Sequence, residues 1–180
     1  MDGGLWVFGY GSLMWNPEFP VAERVPAAAA GWHRSFCMRS IHHRGTVAAP
    51  GLVLALDAMP GAACRGLALR AAPGTEDATI AHLRARELIS SAYVEARLPL
   101  DLQDGRRIEA LAYVISRAHP QYCGGLPREE QARIIAGAVG GRGRNCDYLW
   151  ATAAHLAELG LADPELDWLA ARVRHLCTAA

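Results

Sequence analysis

The 180-residue chain contains no lysine; all 18 of its basic residues are arginine. Without lysine a chain cannot form a side-chain Schiff base, hold pyridoxal phosphate covalently or supply the lysine of a phosphate-binding P-loop. It also lacks a surplus of either charge, because 18 basic residues meet 18 Asp and Glu and the pI is near 7.0. The basic excess of a nucleic-acid binder and the basic amphipathic face of a membrane-surface protein are both missing. There is no Cys-x-x-Cys, and the five cysteines, Cys37, Cys64, Cys123, Cys146 and Cys177, lie at least 23 residues apart. Zinc-ribbon and thioredoxin signatures are therefore absent, and the odd count fits reduced, buried thiols. No apolar run approaches the ~20 residues of a membrane span, and Met-Asp-Gly-Gly does not open like a secretion signal. The expected localisation is cytoplasmic.

What is present is a globular composition, 52% hydrophobic and 20% charged, which predicts one compact domain over residues 1–180. Leu5 to Phe8 and Gly51 to Leu56, the latter bounded by Pro50 and Pro60, read as buried strands. Val94 to Leu102 alternates apolar and polar residues with a period of two, a strand with one wet face, and Pro99 suggests a sheet edge. Asp104-Gly105 supplies the positive-φ pair of a tight hairpin turn into Ile108 to Ile115. Thr75 to Ser90 predicts a helix with Glu76 and Asp77 at its positive end. Three further helices follow, one opened by Pro127, one capped by Asn145 and stopped by Gly160, and one opened by Asp163-Pro164. The order predicts an α+β protein: a mostly antiparallel sheet or barrel with helices packed outside.

Gly9-Tyr10-Gly11 follows a strand, yet it fails as a dinucleotide fingerprint because Met14 stands at the third glycine and Pro17 and Pro20 replace the helix. What remains is a strand running into a turn whose backbone N–H groups can face a carboxylate or a developing oxyanion. Ile80 and Leu83 mark an apolar helix stripe, and Glu87 occupies its next position. An inward Glu87 would be desolvated and its pKa raised into the range of a proton-transfer group; the alternatives are an exposed Glu87 paired with Arg84 or a half-buried one paired with Arg39. His42-His43 has no third ligand at metal spacing, no Gly-x-Ser-x-Gly elbow occurs, and nothing activates Cys37 or Cys123. Gly140 to Arg144 looks like an anion loop but reads as a plain connection between helices.

Trp6-Val7-Phe8-Gly9-Tyr10-Gly11-Ser12-Leu13-Met14-Trp15 resembles the opening of the ChaC-like family, the glutathione-specific γ-glutamylcyclotransferases. Arg34 to Ser40, His43 to Thr46 with Pro50 to Leu56, Arg86-Glu87 with Tyr93, His119 to Tyr122, and Asn145 with Tyr148-Leu149 look like that family's other blocks in their usual order. Arg84 and Leu88 depart from the aromatic and methionine that often flank the family's Arg-Glu pair. The resemblance implies a γ-glutamylcyclotransferase-like small β-barrel, mixed or antiparallel, with surrounding helices. It implies Glu87 as general acid/base, and binding of the γ-glutamyl group by Val7, Phe8, Gly9, Tyr10, Gly11, Ser12 and Leu13. Arg39 is a plausible carboxylate partner and Tyr122 a hydroxyl donor to substrate.

The implied reaction converts glutathione to 5-oxoproline and cysteinylglycine without water, metal or cofactor. The implied partner is this small molecule alone, with no nucleic acid, membrane or obligate protein. Ser12 is expected to act through its backbone, and a side chain at Gly11 to crowd the loop. Two other readings stay open on the residues: a cyclotransferase for other γ-glutamyl-amino acids or amines, and a non-catalytic γ-glutamyl-binding module.

Overall fold

The computed structural model describes residues 3–179. Met1, Asp2 and Ala180, the ends of the expected 1–180 domain, lie outside the described residues. Strand β1 (Trp6–Gly9) leads through a 3-10 turn (Ser12–Met14) to two long strands, β2 (Val21–Ser40) and β3 (Gly51–Ala71). Helix α1 (Glu76–Glu87) precedes the hairpin β4 (Tyr93–Leu102) and β5 (Arg107–Ile115). Then come α2 (Arg128–Gly137), the short ribbon β6 (Val139–Gly140) and β7 (Gly143–Arg144), α3 (Asn145–Glu158) and α4 (Pro164–Thr178). Strands β1 to β5 close a barrel in the order β1-β3-β2-β4-β5. It is mixed, because β1 pairs antiparallel with β3 but parallel with β5 at Val7↔Leu111.

The described residues form two compact units, one of residues 3–34 and 56–120, the other of residues 35–55 and 121–179. In the first, Trp6, Phe8, Leu56, Ala68, Leu98, Leu100, Ala110 and Ala112 form a buried cluster. Small alanines let neighbouring strands come close while Phe8 and the leucines fill the volume, a matching of sizes that close packing requires. On β4 only Leu98, Leu100 and Leu102 are fully buried, and Val94 is exposed, so the dry face covers less of the strand than its alternation predicts. Pro99 does not mark a sheet edge. Strand β4 pairs with β5 along nearly its whole length, and its pairs with β2 are Ala27↔Leu102 and Ala28↔Asp101, beyond the proline that cannot donate.

Several predicted elements differ in extent. Strand β3 continues through Pro60 to Ala71, because that stretch is exposed at Ala58 to Gly61 and Gly61 (φ +85°) takes up the bend. The β4–β5 turn has one positive-φ residue, not two. The Leu102 carbonyl accepts from the Gly105 N–H at 3.0 Å, and Gly105 alone is left-handed (φ +91°). Helix α1 stops at Glu87, three residues early; the Ser90 hydroxyl accepts from the Ala92 N–H at 3.3 Å, a local bond that competes with helix continuation.

In the second unit α2, α3 and α4 bury Ile135, Leu149, Leu156, Leu169 and Val173. Asp163 caps α4 as expected, accepting from the Leu166 N–H at 3.1 Å. Asn145 does not cap α3. Its fully buried side chain accepts from the Leu52 N–H (2.7 Å) and donates to the Leu52 carbonyl (2.8 Å), completing both backbone bonds of β3 there. The connection at Gly140 to Arg144 is a two-stranded ribbon, with Gly141 and Arg142 donating to the carbonyls of His42 and His43. His42 and His43 lie in a bend after β2, not in a strand.

Candidate active site

The end of β1 carries the predicted loop. Val7 and Phe8 are fully buried, with Phe8 in the barrel core, so their side chains face protein and only the backbone is available for contacts. Tyr10 packs against Phe8, with ring centroids 6.3 Å apart, and its hydroxyl donates to the Tyr113 carbonyl at 2.9 Å. The chain then tightens, with Met14 N–H donating to the Gly11 carbonyl (2.9 Å) and Asn16 N–H to the Ser12 carbonyl (2.7 Å). Ser12 and Leu13 open this turn, the positions whose N–H groups have no acceptor within it.

The two glycines of the turn differ in their surroundings. A Cβ on Gly9 would meet Met14 Cγ at 3.1 Å and Met14 N at 3.2 Å, whereas a Cβ on Gly11 would meet nothing within 4 Å. The crowding expected at Gly11 therefore belongs to Gly9. The Ser12 hydroxyl accepts from Arg86 Nη2 at 2.9 Å, so its side chain has a partner in addition to the backbone role expected of it.

Glu87 ends α1 on the line Thr79, Leu83, Glu87, of which the first two are buried. Its side chain is 19% exposed, and burial pushes its carboxyl pKa above the ordinary 4.5, with the neighbouring Arg86 charge opposing. Arg84 is not its partner: Arg84 forms a two-pronged bond to Glu95 at 2.9 Å, and the cation beside Glu87 is Arg86, with Nε 3.4 Å from Oε1.

Glu95 on β4 has the opposite setting. The Arg84 fork and the Tyr113 hydroxyl, which donates at 3.1 Å, hold its carboxyl below the usual range. Tyr113, opposite Glu95 on β5, is kept protonated by burial and by the negative charge of Glu95. Two carboxyls driven in opposite directions are the pattern that separates a proton-transfer group from a permanently charged one. Sequence reading missed Glu95 and Tyr113, because Glu95 sits on the wet phase of an alternating strand and Tyr113 in an apolar run.

Arg39 and Tyr122 belong to the second unit. Arg39 N–H donates to the Gln121 carbonyl (2.8 Å), Gln121 Nε2 returns a bond to the Arg39 carbonyl (2.8 Å), and Met38 pairs with Tyr122 in an isolated bridge. The Tyr122 ring lies over Gly124, where a side chain would collide with it. Burial raises the Cys123 thiol beside Arg39, leaving it a poor nucleophile. Among the described residues no group of three or more His, Cys, Asp or Glu could hold a metal ion, and no helix is long and apolar enough to cross a membrane.

A family model described as ChaC-like protein matches residues 5–176. The chain belongs to the ChaC-like family. Among curated relatives, the glutathione-specific γ-glutamylcyclotransferase of Escherichia coli (strain K12) is 37% identical over 97% of this chain and 75% of that protein. γ-Glutamylcyclotransferase 2-3 of Arabidopsis thaliana is 34% identical over 96% of this chain and 89% of its own. The glutathione-specific γ-glutamylcyclotransferase of Schizosaccharomyces pombe is 33% identical over 88% of this chain and 85% of its own. The fold matches a crystal structure of a yeast γ-glutamylcyclotransferase specific to glutathione, with a TM-score of 0.83 at 23% identity over 97% of this chain and 100% of that one. The barrel and four helices of this ChaC-like chain thus have the γ-glutamylcyclotransferase-like fold expected from its sequence.

Proposed function

We propose that the protein is a glutathione-specific γ-glutamylcyclotransferase with Glu87 as its acid/base. The activity rests on the 37% identity with the E. coli enzyme of that name along 97% of the chain. The assignment of Glu87 rests on one observation, a carboxyl of raised pKa at the end of α1, joined through Arg86 to the loop at Ser12.

The chemistry asks little else of the protein. The α-amine of the γ-glutamyl group gives a proton to Glu87 and attacks its own γ-carbonyl carbon. The bond from that carbon to the cysteine nitrogen breaks as the five-membered ring closes, and Glu87 returns the proton to the departing amine. The products are 5-oxoproline and cysteinylglycine, with no water, metal or cofactor consumed. Because nucleophile and electrophile share one molecule, holding them in a near-attack conformer supplies an effective molarity of about 10⁵ M or more.

The amides of Gly11, Ser12 and Leu13 hold the α-carboxylate or the developing oxyanion on this reading, with Val7 to Tyr10 forming the strand end that presents them. Arg39, as a fork for a carboxylate, and Tyr122, as a hydroxyl donor, are the further substrate contacts of this proposal. Residues 5–176, spanned by a single family model, work as one functional domain, in the cytoplasm, on a small-molecule substrate and with no nucleic acid, membrane or obligate protein partner.

The test is incubation of the purified protein with reduced glutathione, scored for 5-oxoproline and cysteinylglycine, with Glu87→Gln alongside. Product from the wild type and none from the variant is expected. Turnover of γ-glutamyl-alanine or a γ-glutamylamine but not glutathione would overturn the substrate and keep the reaction. Silence on all three, together with protection from heating by glutathione, would make the protein a binding module.

A further inference from the structure

The Arg86 guanidinium reaches four partners at once. Nη2 donates to Ser12 Oγ at 2.9 Å, Nη1 donates to the Asn16 carbonyl at 2.8 Å and lies 3.3 Å from Glu18 Oε2, and Nε lies 3.4 Å from Glu87 Oε1. Only 20% of its side chain is exposed. We propose that Arg86 is a positioning residue, a clasp that fixes the Ser12–Met14 turn and the Glu18 bend to the Glu87 carboxyl, so that the substrate-binding backbone and the acid/base form one rigid body. The inference rests on the cyclotransferase reading of Glu87.

A second observation supports it. Glu18 is the one non-glycine residue with positive φ (59°) among the described residues, a conformation that L side chains avoid. Such strain persists only where the surroundings impose it, and it clusters at functional sites. Here the surroundings are three contacts to the Glu18 side chain: Arg86, Asn16 Nδ2 at 3.3 Å and His82 Nε2 at 3.5 Å. The fork geometry of a guanidinium suits this task, since five donors fan out in one plane; the single ammonium of lysine cannot span the same set.

The clasp also sets the charge felt by Glu87. Arg86 adjoins that carboxyl and Tyr113 on β5 feels its charge; the ionisable partners of these two groups and of α1 are Glu18, which meets Arg86 and His82, and Glu95, which meets Arg84 and Tyr113. Arg84 is committed to Glu95, which leaves Arg86 as the cation adjoining Glu87.

Three variants, Arg86→Ala, Arg86→Lys and Glu18→Gly, test this against Arg97→Ala, which removes an exposed arginine elsewhere. Amide hydrogen exchange over residues 11–18 is followed together with KM, kcat and the acid limb of the pH–rate profile. Arg86→Ala is expected to speed exchange in that segment by about tenfold or more while the β4–β5 hairpin stays protected. It should also raise KM and move the acid limb upward. Arg86→Lys keeps the charge, so the acid limb should return towards wild type while exchange and KM stay raised. Glu18→Gly relieves the strained φ yet should still speed exchange over residues 12–16.

Exchange over residues 11–18 within about twofold of the Arg97→Ala control in all three variants would overturn the proposal. So would full recovery of exchange and KM in Arg86→Lys, which would reduce Arg86 to a charge. If Arg86→Ala does not fold, Arg86→Lys and Glu18→Gly decide the matter. A wild type that turns over no glutathione would sink the cyclotransferase reading, while the exchange data would still decide whether the clasp exists.

Discussion

Glu87 and Glu95 lie eight positions apart in the sequence and in opposite electrostatic settings within the same unit. Burial favours the neutral form of Glu87, while the Arg84 fork and the Tyr113 hydroxyl favour the charged form of Glu95. With Glu95 already paired and its carboxyl held below the usual range, Glu87 is the carboxyl we propose to change protonation during the reaction.

The pH–rate profile should report this. In the proposed role Glu87 must be ionised to accept the amine proton, so kcat/KM is expected to fall as Glu87 protonates. Burial places that fall above the ordinary carboxyl value of 4.5. An acid limb at or below 4.5 in the wild type would remove Glu87 from the role, as would a Glu87→Gln variant retaining more than about a tenth of the wild-type rate.

The same burial has a thermodynamic consequence. A carboxyl whose pKa is raised on folding contributes stability that is fully present below its unfolded value and is lost as pH rises through its folded value. Above that window the wild type holds a poorly solvated charge that glutamine would not carry. Glu87→Gln is therefore expected to melt above the wild type at pH 8, with the difference shrinking towards pH 4. Thermal melts across that range measure it, and a variant less stable than wild type at pH 8 would show that the Glu87 charge is well compensated.

Much of this arrangement is legible in the sequence, and the limits have physical reasons. Helix phase points Glu87 inward, because Leu83 lies one turn before it and a carboxyl on an apolar line stands out. The strand-to-glycine passage at Gly9 to Gly11 is equally visible. The partners of the side chains are not. Arg86 reaches Ser12 across 74 positions and Asn145 reaches Leu52 across 93, and no periodicity encodes contacts made by chain closure. Asn145 reads as a cap because asparagine before an apolar helix usually is one; a buried strand that needs two more hydrogen bonds outcompetes that local role. The extent of β3 was hidden by Pro60, whose neighbours are exposed and need no ladder bond there.

The Asn145 side chain supports a further prediction. Removing it leaves the N–H and carbonyl of Leu52, a residue with no exposed surface, without these partners. Asn145→Ala should therefore cost about 2–5 kcal/mol of stability. Asn145→Asp keeps the acceptor but loses the donor and buries a charge, so it should be no milder. Denaturant melts of both variants check the order, and an alanine variant within about 0.5 kcal/mol of wild type would show that water or another group replaces the amide.

The glycines of the turn and Gly66 on β3 are separable by what surrounds them. A Cβ on Gly66 would lie 2.8 Å from Phe8 Cε2 and would also collide with the Gly9 carbonyl; on Gly9 it would press on the Met14 backbone; on Gly11 it would enter open space. Gly66→Ala must displace a buried ring or the strand that presents the turn, at a cost of about 1–3 kcal/mol for an overpacked core. Gly9→Ala has a few tenths of an ångström to find, and the same methylene of Met14 that yields would pull the turn with it. Gly11→Ala should leave the melting temperature nearly unchanged. If it also leaves KM for glutathione unchanged, the space beside Gly11 is not used by substrate. A large rise in KM without loss of stability would instead place the bound γ-glutamyl group against Gly11, where the protein itself leaves room.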